Sequence, residues 1–161
     1  MNRTRRTLIL PDADATAALA RHLAPLVGAG DVILLQGPIG AGKSHFARAL
    51  IQARLGRAED VPSPTFTLVQ TYQADGVEIW HADLYRLTDP SEVEELGLTQ
   101  AFDEAIALVE WPDRLGSMWP TAALTLDLAP EAVGDARRAD LSASDPRWAA
   151  VFAALNGWTH G

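Results

Sequence analysis

The chain has 161 residues, of which 48% are hydrophobic and 21% are charged, a composition typical of a soluble globular domain with a sizeable core. It contains no cysteine, which excludes disulfides, cysteine-ligated zinc and thiol catalysis. The net charge of −8 argues against strong direct binding to nucleic acid, because the phosphate backbone requires a basic protein face.

The N-terminal apolar run covers only residues 8–10 and ends at Pro11 and Asp12, which is too short for a signal peptide. No stretch approaches the roughly 18 apolar residues of a membrane span. We therefore expect one cytoplasmic domain over residues 1–161, with no membrane segment.

The first half of the chain alternates apolar runs with helical patterns. A short strand is predicted at residues 7–10, and Asp12 or Asp14 caps a helix that continues to Val27. The continuous apolar run at residues 32–35 indicates a strand buried on both faces. A helix follows over residues 44–55.

The second half contains shorter elements, each bounded by turn residues. The predicted elements are a hairpin of residues 67–72 and 77–81, a short helix that begins at residues 89–92 and stops at Gly97, a helical turn at 99–104, strands at 105–109 and 123–128, an edge strand within 131–143, and a closing helix at 146–155.

Apolar strands interleaved with helices predict an α/β fold of three layers, with a mostly parallel central sheet and helices on both faces. In such sheets the ligand lies beyond the carboxyl ends of the strands. Gly37 and Glu110 both follow apolar runs at that edge.

Residues 37–44 read GPIGAGKS and match the phosphate-binding P-loop, between a predicted strand and a predicted helix. Twelve of the 13 basic residues are arginine, and Lys43 in this loop is the only lysine. We expect Lys43 to contact the β- and γ-phosphates and the Ser44 hydroxyl to bind Mg²⁺. The backbone N–H groups of the loop are expected to face the phosphates; these belong to Ile39, Gly40, Ala41, Gly42, Lys43 and Ser44.

A P-loop enzyme needs an acid near its metal, usually at the end of a neighbouring strand. Three acids qualify by position. Glu110 ranks first because it follows the cleanest apolar run, and Asp83 ranks second. Asp127 ranks third, since apolar residues flank it on both sides and no loop follows it directly.

Three further residues each allow two interpretations. His81 is either a general base or, more commonly for such a residue, a structural histidine. Thr65 is either a switch residue near the γ-phosphate or a turn hydroxyl, in a loop constrained by prolines. Trp111 is either a buried core residue or an exposed ring for a nucleotide or a partner.

Four segments in order now identify a family: residues 40–44 (GAGKS), 63–69 (SPTFTLV), 81–87 (HADLYRL) and 109–112 (VEWP). Together they resemble the motif set of the TsaE family, the small bacterial P-loop ATPase of tRNA threonylcarbamoyladenosine biosynthesis. The resemblance covers nearly the whole chain, and the segment after Asp127 is the most divergent.

The resemblance implies a set of site residues. Ser44 and Glu110 correspond to Mg²⁺ ligands, Thr65 to the switch residue, and Asp83 and Trp111 to residues that the ATPase needs. Two alanines match segments that flank the nucleotide base in the family, namely Ala13 and Ala136.

The resemblance further implies a Mg²⁺-dependent ATPase with slow turnover that acts on the complex of the transferase TsaD with TsaB, and reaches tRNA only through that complex. Two other functions stay open. A small-molecule kinase would transfer the phosphoryl group to an acceptor, and usually carries an arginine-bearing lid. A nucleotide-dependent binding module would bind a partner without releasing phosphate.

Overall fold

A seven-stranded sheet with the order β1-β7-β6-β2-β5-β4-β3 lies at the centre of the computed structural model, which describes residues 3–56, 61–62, 68–89, 91–132 and 134–158. The strands are β1 (Thr4–Leu10), β2 (Val32–Gln36), β3 (Val69–Ala74), β4 (Val77–Asp83), β5 (Ile106–Glu110), β6 (Leu124–Pro130) and β7 (Arg137–Ala143).

The helices flank this sheet. They are α1 (Ala13–Leu23), α2 (Lys43–Leu55), α3 (Ser91–Glu95), α4 (Leu98–Glu104) and α5 (Ala149–Leu155), with 3₁₀ segments at Ala24–Leu26, Pro112–Met118 and Pro146–Trp148. Within the part of the chain that the structure describes, no helix combines the length and apolar character that crossing a membrane demands.

The four central strands β4, β5, β2 and β6 run parallel. Three of them, β2, β5 and β6, were predicted from apolar runs, and β4 was predicted as one half of a hairpin. Antiparallel strands complete the sheet at both sides, with β3 beside β4, and β7 and then β1 beside β6. The α/β class predicted from the sequence is therefore confirmed.

The two innermost strands, β2 and β5, bury both faces, which explains why their sequences are apolar up to the last residue. On β2, Ile33 and Leu35 pack into the core beneath α1, α2 and α5. Val32 and Leu34 point to the opposite face, where α3, α4 and the 3₁₀ segment Pro112–Met118 cover the sheet. The layers predicted on both faces are present.

The prediction of an edge strand within residues 131–143 is wrong in one respect. The strand exists as β7, but it pairs on both sides, and β1 forms the edge. Its weak alternation has a physical cause, because Ala139 and Leu141 are buried while Arg138 on the other face is exposed. Antiparallel sheets tolerate one solvated face.

Two predicted helices also differ from the structure at their ends. The first α-helix stops at Leu23 and gives way to the 3₁₀ segment, because Pro25 lacks the N–H donor that would continue the helical hydrogen bonds. The closing helix begins as the 3₁₀ turn Pro146–Trp148, capped by Asp145, before α5 continues it.

Candidate active site

The phosphate loop connects β2 to α2 at the carboxyl edge of the sheet. Gly40 and Gly42 adopt left-handed backbone angles, with φ of 82° and 105°. Gly37 has φ of 138°, and a Cβ atom there would lie 2.1 Å from the Leu128 carbonyl oxygen of β6. The first-turn N–H groups of a helix lack intrahelical acceptors, so the start of α2 offers donors to an anion.

Lys43 is the first residue of α2, and its side chain folds back over the loop. Its Nζ atom donates to the carbonyl oxygens of Gly37 at 2.5 Å and Pro38 at 3.1 Å. The residue is only 5% exposed. This burial lowers the pKa of the ammonium from the usual 10.5, although the negative charges of Glu110, Asp83 and Asp127 oppose the shift.

Ser44 and Glu110 meet although 66 residues separate them in the chain. The Ser44 hydroxyl lies 2.9 Å from both carboxylate oxygens of Glu110. Glu110 ends β5, and its partner across the parallel ladder is Asp83 at the end of β4. Side chains at paired positions share a face of the sheet, so both carboxylates lie on the side of α2.

Asp83 is 6% exposed and its carboxylate accepts a hydrogen bond from the Tyr85 N–H at 3.0 Å. The third candidate acid, Asp127, is paired with Gln36, whereas Glu110 is paired with Leu35. Successive strand residues face opposite sides, so Asp127 lies on the other face of the sheet from Glu110.

Trp111 directly follows Glu110 and turns the chain in a left-handed conformation, with φ of 59°. The centroid of its ring is 4.0 Å from the Lys43 Nζ atom and 4.9 Å from the centroid of the Tyr85 ring. It is half-buried, so neither the core interpretation nor the exposed interpretation describes it fully.

A cavity of about 440 Å³ opens between these elements. Lys43, Ser44, Asp83, Glu110 and Trp111 all line it. The structure therefore brings together predicted site residues from three of the four motif segments. Thr65, from the remaining segment, lies outside the described residues.

A second cavity of about 340 Å³ lies on the other side of the phosphate loop. Ala13 lines it, together with Asp135 and Arg137 on either side of Ala136 in the chain. The two alanines predicted to flank a base thus lie near the loop, as does His45, whose Nε2 atom is 3.0 Å from the Ala13 carbonyl oxygen.

Sequence reasoning missed the contact that Arg137 makes with the phosphate loop. Its guanidinium donates to the carbonyl oxygens of Gly40 at 3.1 Å and Ala41 at 3.2 Å. The signal available in the sequence was an arginine pair, Arg137 and Arg138, and nothing in the pattern linked it to a loop 96 residues away.

The oxygen donors of Ser44 and Glu110 suit Mg²⁺, a hard cation that prefers oxygen ligands. Among the described residues, no three or more His, Cys, Asp or Glu side chains form a complete metal cage. Mg²⁺ in nucleotide sites usually has one or two protein ligands and takes the others from phosphate and water. The donor set therefore fits an ion that arrives with a nucleotide.

Comparison with known proteins adds independent information. The model of a family described as threonylcarbamoyl adenosine biosynthesis protein TsaE matches residues 10–139. A Rickettsia felis protein named tRNA threonylcarbamoyladenosine biosynthesis protein TsaE is 42% identical over 106 residues, which are 66% of this chain and 62% of that protein. A Rickettsia conorii relative is matched over 57% of its length, so the chain spans less than two thirds of both proteins.

Other relatives with the same name are matched more completely. The protein of Rickettsia bellii is 36% identical over 120 residues, 74% of this chain and 83% of that protein. The protein of Haemophilus influenzae is 37% identical over 113 residues, 70% of each chain. The crystal structure of Bacillus subtilis YdiB is similar with a TM-score of 0.80 and 25% identity, covering 98% of this chain and 97% of that one. The match over residues 10–139 and these relatives show that the chain belongs to the TsaE family.

Proposed function

We propose that this protein is a Mg²⁺-dependent ATPase that acts in the threonylcarbamoyladenosine modification of tRNA. The observation that carries the proposal is the convergence of Ser44 and Glu110 at 2.9 Å beside Lys43, at the start of the phosphate-loop helix. The names of the relatives support the pathway, since each is a tRNA threonylcarbamoyladenosine biosynthesis protein.

The side chains of the site have separate roles in this proposal. Lys43 exchanges the carbonyl oxygens of Gly37 and Pro38 for β- and γ-phosphate oxygens when ATP binds. Ser44 and Glu110 would hold Mg²⁺, which would supply positive charge to neutralise the negative charge that develops on the phosphate oxygens.

In this proposal Asp83 orients the attacking water. Support comes from its position, since Asp83 lines the same cavity and lies beside Glu110 in the sheet. A residue in this role acts by position, so its loss lowers turnover more than nucleotide affinity. The second cavity, lined by Ala13, holds the nucleoside in this proposal.

The proposed protein partner is the complex of TsaD with TsaB, with tRNA reached only through it. Support comes from the apolar rim of the first cavity, where Ile39 is 75% exposed and Tyr85 is 43% exposed. A net charge of −8 favours docking on a protein over direct capture of tRNA.

The test is a reconstitution with purified TsaB–TsaD, in which orthophosphate release and modified tRNA are both measured. We expect slow phosphate release by the protein alone, faster release with the complex, and modification that continues beyond the first turnover. Transfer of phosphate to a small acceptor would favour a kinase. ATP-dependent docking without phosphate release would favour a binding module.

A further inference from the structure

His81 lies in the core at the end of the sheet that carries the proposed metal site. It is 1% exposed, and it precedes Asp83 by two residues on β4, so both side chains face α2. Its Nε2 atom lies 2.7 Å from Oε2 of Glu110. Its Nδ1 atom is buried and has no hydrogen-bond partner among the described residues.

The contact leads us to assign the imidazole proton of His81 to Nε2. The assignment takes Glu110 as a carboxylate, which only accepts hydrogen bonds, so Nε2 at 2.7 Å is the donor. His81 also does not line the cavity that contains Lys43 and Asp83. A general base must reach the proton that it removes, so this placement argues against that interpretation of His81.

The carboxylate of Glu110 is held asymmetrically as a result. Oε2 lies within hydrogen-bond distance of both His81 Nε2 and the Ser44 hydroxyl, whereas Oε1 lies within that distance of Ser44 alone among the described residues. Because the Ser44 hydroxyl lies 2.9 Å from both oxygens, the contact of Oε2 with His81 is what distinguishes them. It leaves Oε1 with more lone-pair capacity for a cation than Oε2.

We propose that His81 is a positioning residue for Glu110, which selects Oε1 as the oxygen that faces Mg²⁺ and thereby sets the affinity for Mg²⁺ with nucleotide. The inference rests on the proposed function, since it assumes that Glu110 serves the cation. Outer-shell hydrogen-bond partners of metal ligands typically change metal affinity by about 10–100-fold when they are removed.

The test compares His81→Leu, which removes the donor, with His81→Gln, whose amide N–H can reach the same carboxylate oxygen. Calorimetry measures binding of a non-hydrolysable ATP analogue with Mg²⁺ and with EDTA. The Mg²⁺ enhancement is the ratio of the affinity for the analogue in Mg²⁺ to its affinity in EDTA. We expect this ratio to be about 10–100-fold smaller in His81→Leu than in wild type. Its affinity in EDTA should stay within about twofold of wild type, since the phosphate loop is intact. We expect His81→Gln to recover most of the enhancement.

The wild-type protein separates the two claims. If Mg²⁺ does not strengthen its binding of the analogue, the proposed metal site fails and the role of His81 fails with it. If Mg²⁺ strengthens wild-type binding and His81→Leu retains the full enhancement, only the inference about His81 is wrong. An equal loss in Mg²⁺ and in EDTA would also overturn it, because a merely structural role predicts that result.

A measurement without substitutions covers the case in which His81→Leu does not fold. In ¹⁵N-histidine-labelled wild-type protein, NMR reports which ring nitrogen carries the proton. We expect the proton of His81 on Nε2, both before and after Mg²⁺ and the ATP analogue are added. A proton on Nδ1 with bare Nε2 in either state would contradict the inference.

Discussion

The Nζ atom of Lys43 lies 4.0 Å from the centroid of the Trp111 ring while it donates to the carbonyl oxygens of Gly37 and Pro38. The single lysine of the chain is thus held between its own phosphate loop and an aromatic face. A cation over a tryptophan ring gains about 0.5–2 kcal/mol, more when water is excluded. The ring and the two loop carbonyl oxygens therefore surround the ammonium in this structure.

The first prediction concerns the pKa of Lys43. Selective ¹⁵N-lysine labelling gives one side-chain signal, because the chain has one lysine. We expect this signal to titrate below 10.5, because burial disfavours the ammonium. Glu110→Gln should lower the pKa of Lys43 further, since Glu110 raises it more than Asp83 or Asp127 does. A value at or above 10.5 in the nucleotide-free protein would contradict this account.

The same shift has a consequence for stability. A lysine whose folded pKa lies below its unfolded value opposes folding at low pH, and this penalty is relieved as pH rises from the lowered pKa towards 10.5. Bound phosphates should reverse the shift, because their negative charge favours the ammonium. Addition of Mg²⁺ and the ATP analogue should therefore raise the pKa in the NMR titration.

The second prediction concerns Glu110. We expect Glu110→Gln to weaken Mg²⁺-dependent binding of the ATP analogue by about 10-fold or more, because an amide lacks the charge that attracts the cation. Binding in EDTA should change little. Asp127→Asn is the matched control, since Asp127 lies on the other face of the sheet. An equal effect of both substitutions on Mg²⁺ dependence would point to general electrostatics.

The third prediction concerns Trp111. We expect Trp111→Ala to reduce stimulation by TsaB–TsaD more than it reduces ATP binding, and Trp111→Phe to retain more of the stimulation, because an aromatic ring remains above Lys43. Phosphate release with increasing partner concentration is the measurement. Full truncation of a buried aromatic costs about 3–5 kcal/mol, so thermal melting must accompany the assay.

The outcome for Trp111 is decided by both measurements together. A variant that melts like wild type and is stimulated like wild type shows that the ring is not needed for docking. A variant that unfolds while Trp111→Phe works normally supports a packing role.

The fourth prediction concerns the backbone of the phosphate loop. Gly37→Ala places a Cβ atom 2.1 Å from the Leu128 carbonyl oxygen, at a φ of 138°. We expect the free energy of unfolding to fall by about 3 kcal/mol or more. Gly28→Ala is the control, because a Cβ there meets nothing within 4 Å. We expect it to change stability by less than about 1 kcal/mol in urea titrations.

The parallel core of the fold was predictable from the sequence because its strands are buried on both faces. The runs at residues 32–35 and 105–109 are continuously apolar, and the structure places both in the centre of the sheet. The place of β7 was not predictable in the same way. Its alternation indicates a strand with one solvent-exposed face, and such a strand can lie either at the edge of a sheet or at an inner antiparallel position.

The candidate site was predictable where local motifs carry it. The phosphate-loop motif predicts the start of a helix, and Glu110 predicts the carboxyl end of a neighbouring strand. The structure brings the two together through the contact between Ser44 and Glu110. The contacts of His81 with Glu110 and of Arg137 with Ala41 were not predictable from the sequence. Each depends on where a side chain points, and the partners are 29 and 96 residues apart in the chain. Periodicity indicates which face a residue occupies, but it does not indicate which atom it contacts.

The central claim is that Lys43, Ser44 and Glu110 form one ATP·Mg²⁺ hydrolysis site, and the most direct test is orthophosphate release from ATP by the isolated protein. We expect release that requires Mg²⁺ and falls at least about 100-fold in Lys43→Ala, equivalent to about 2.7 kcal/mol in the barrier. The fold should remain intact by circular dichroism. Turnover by folded Lys43→Ala within about twofold of wild type, or release that does not depend on Mg²⁺, would contradict the account.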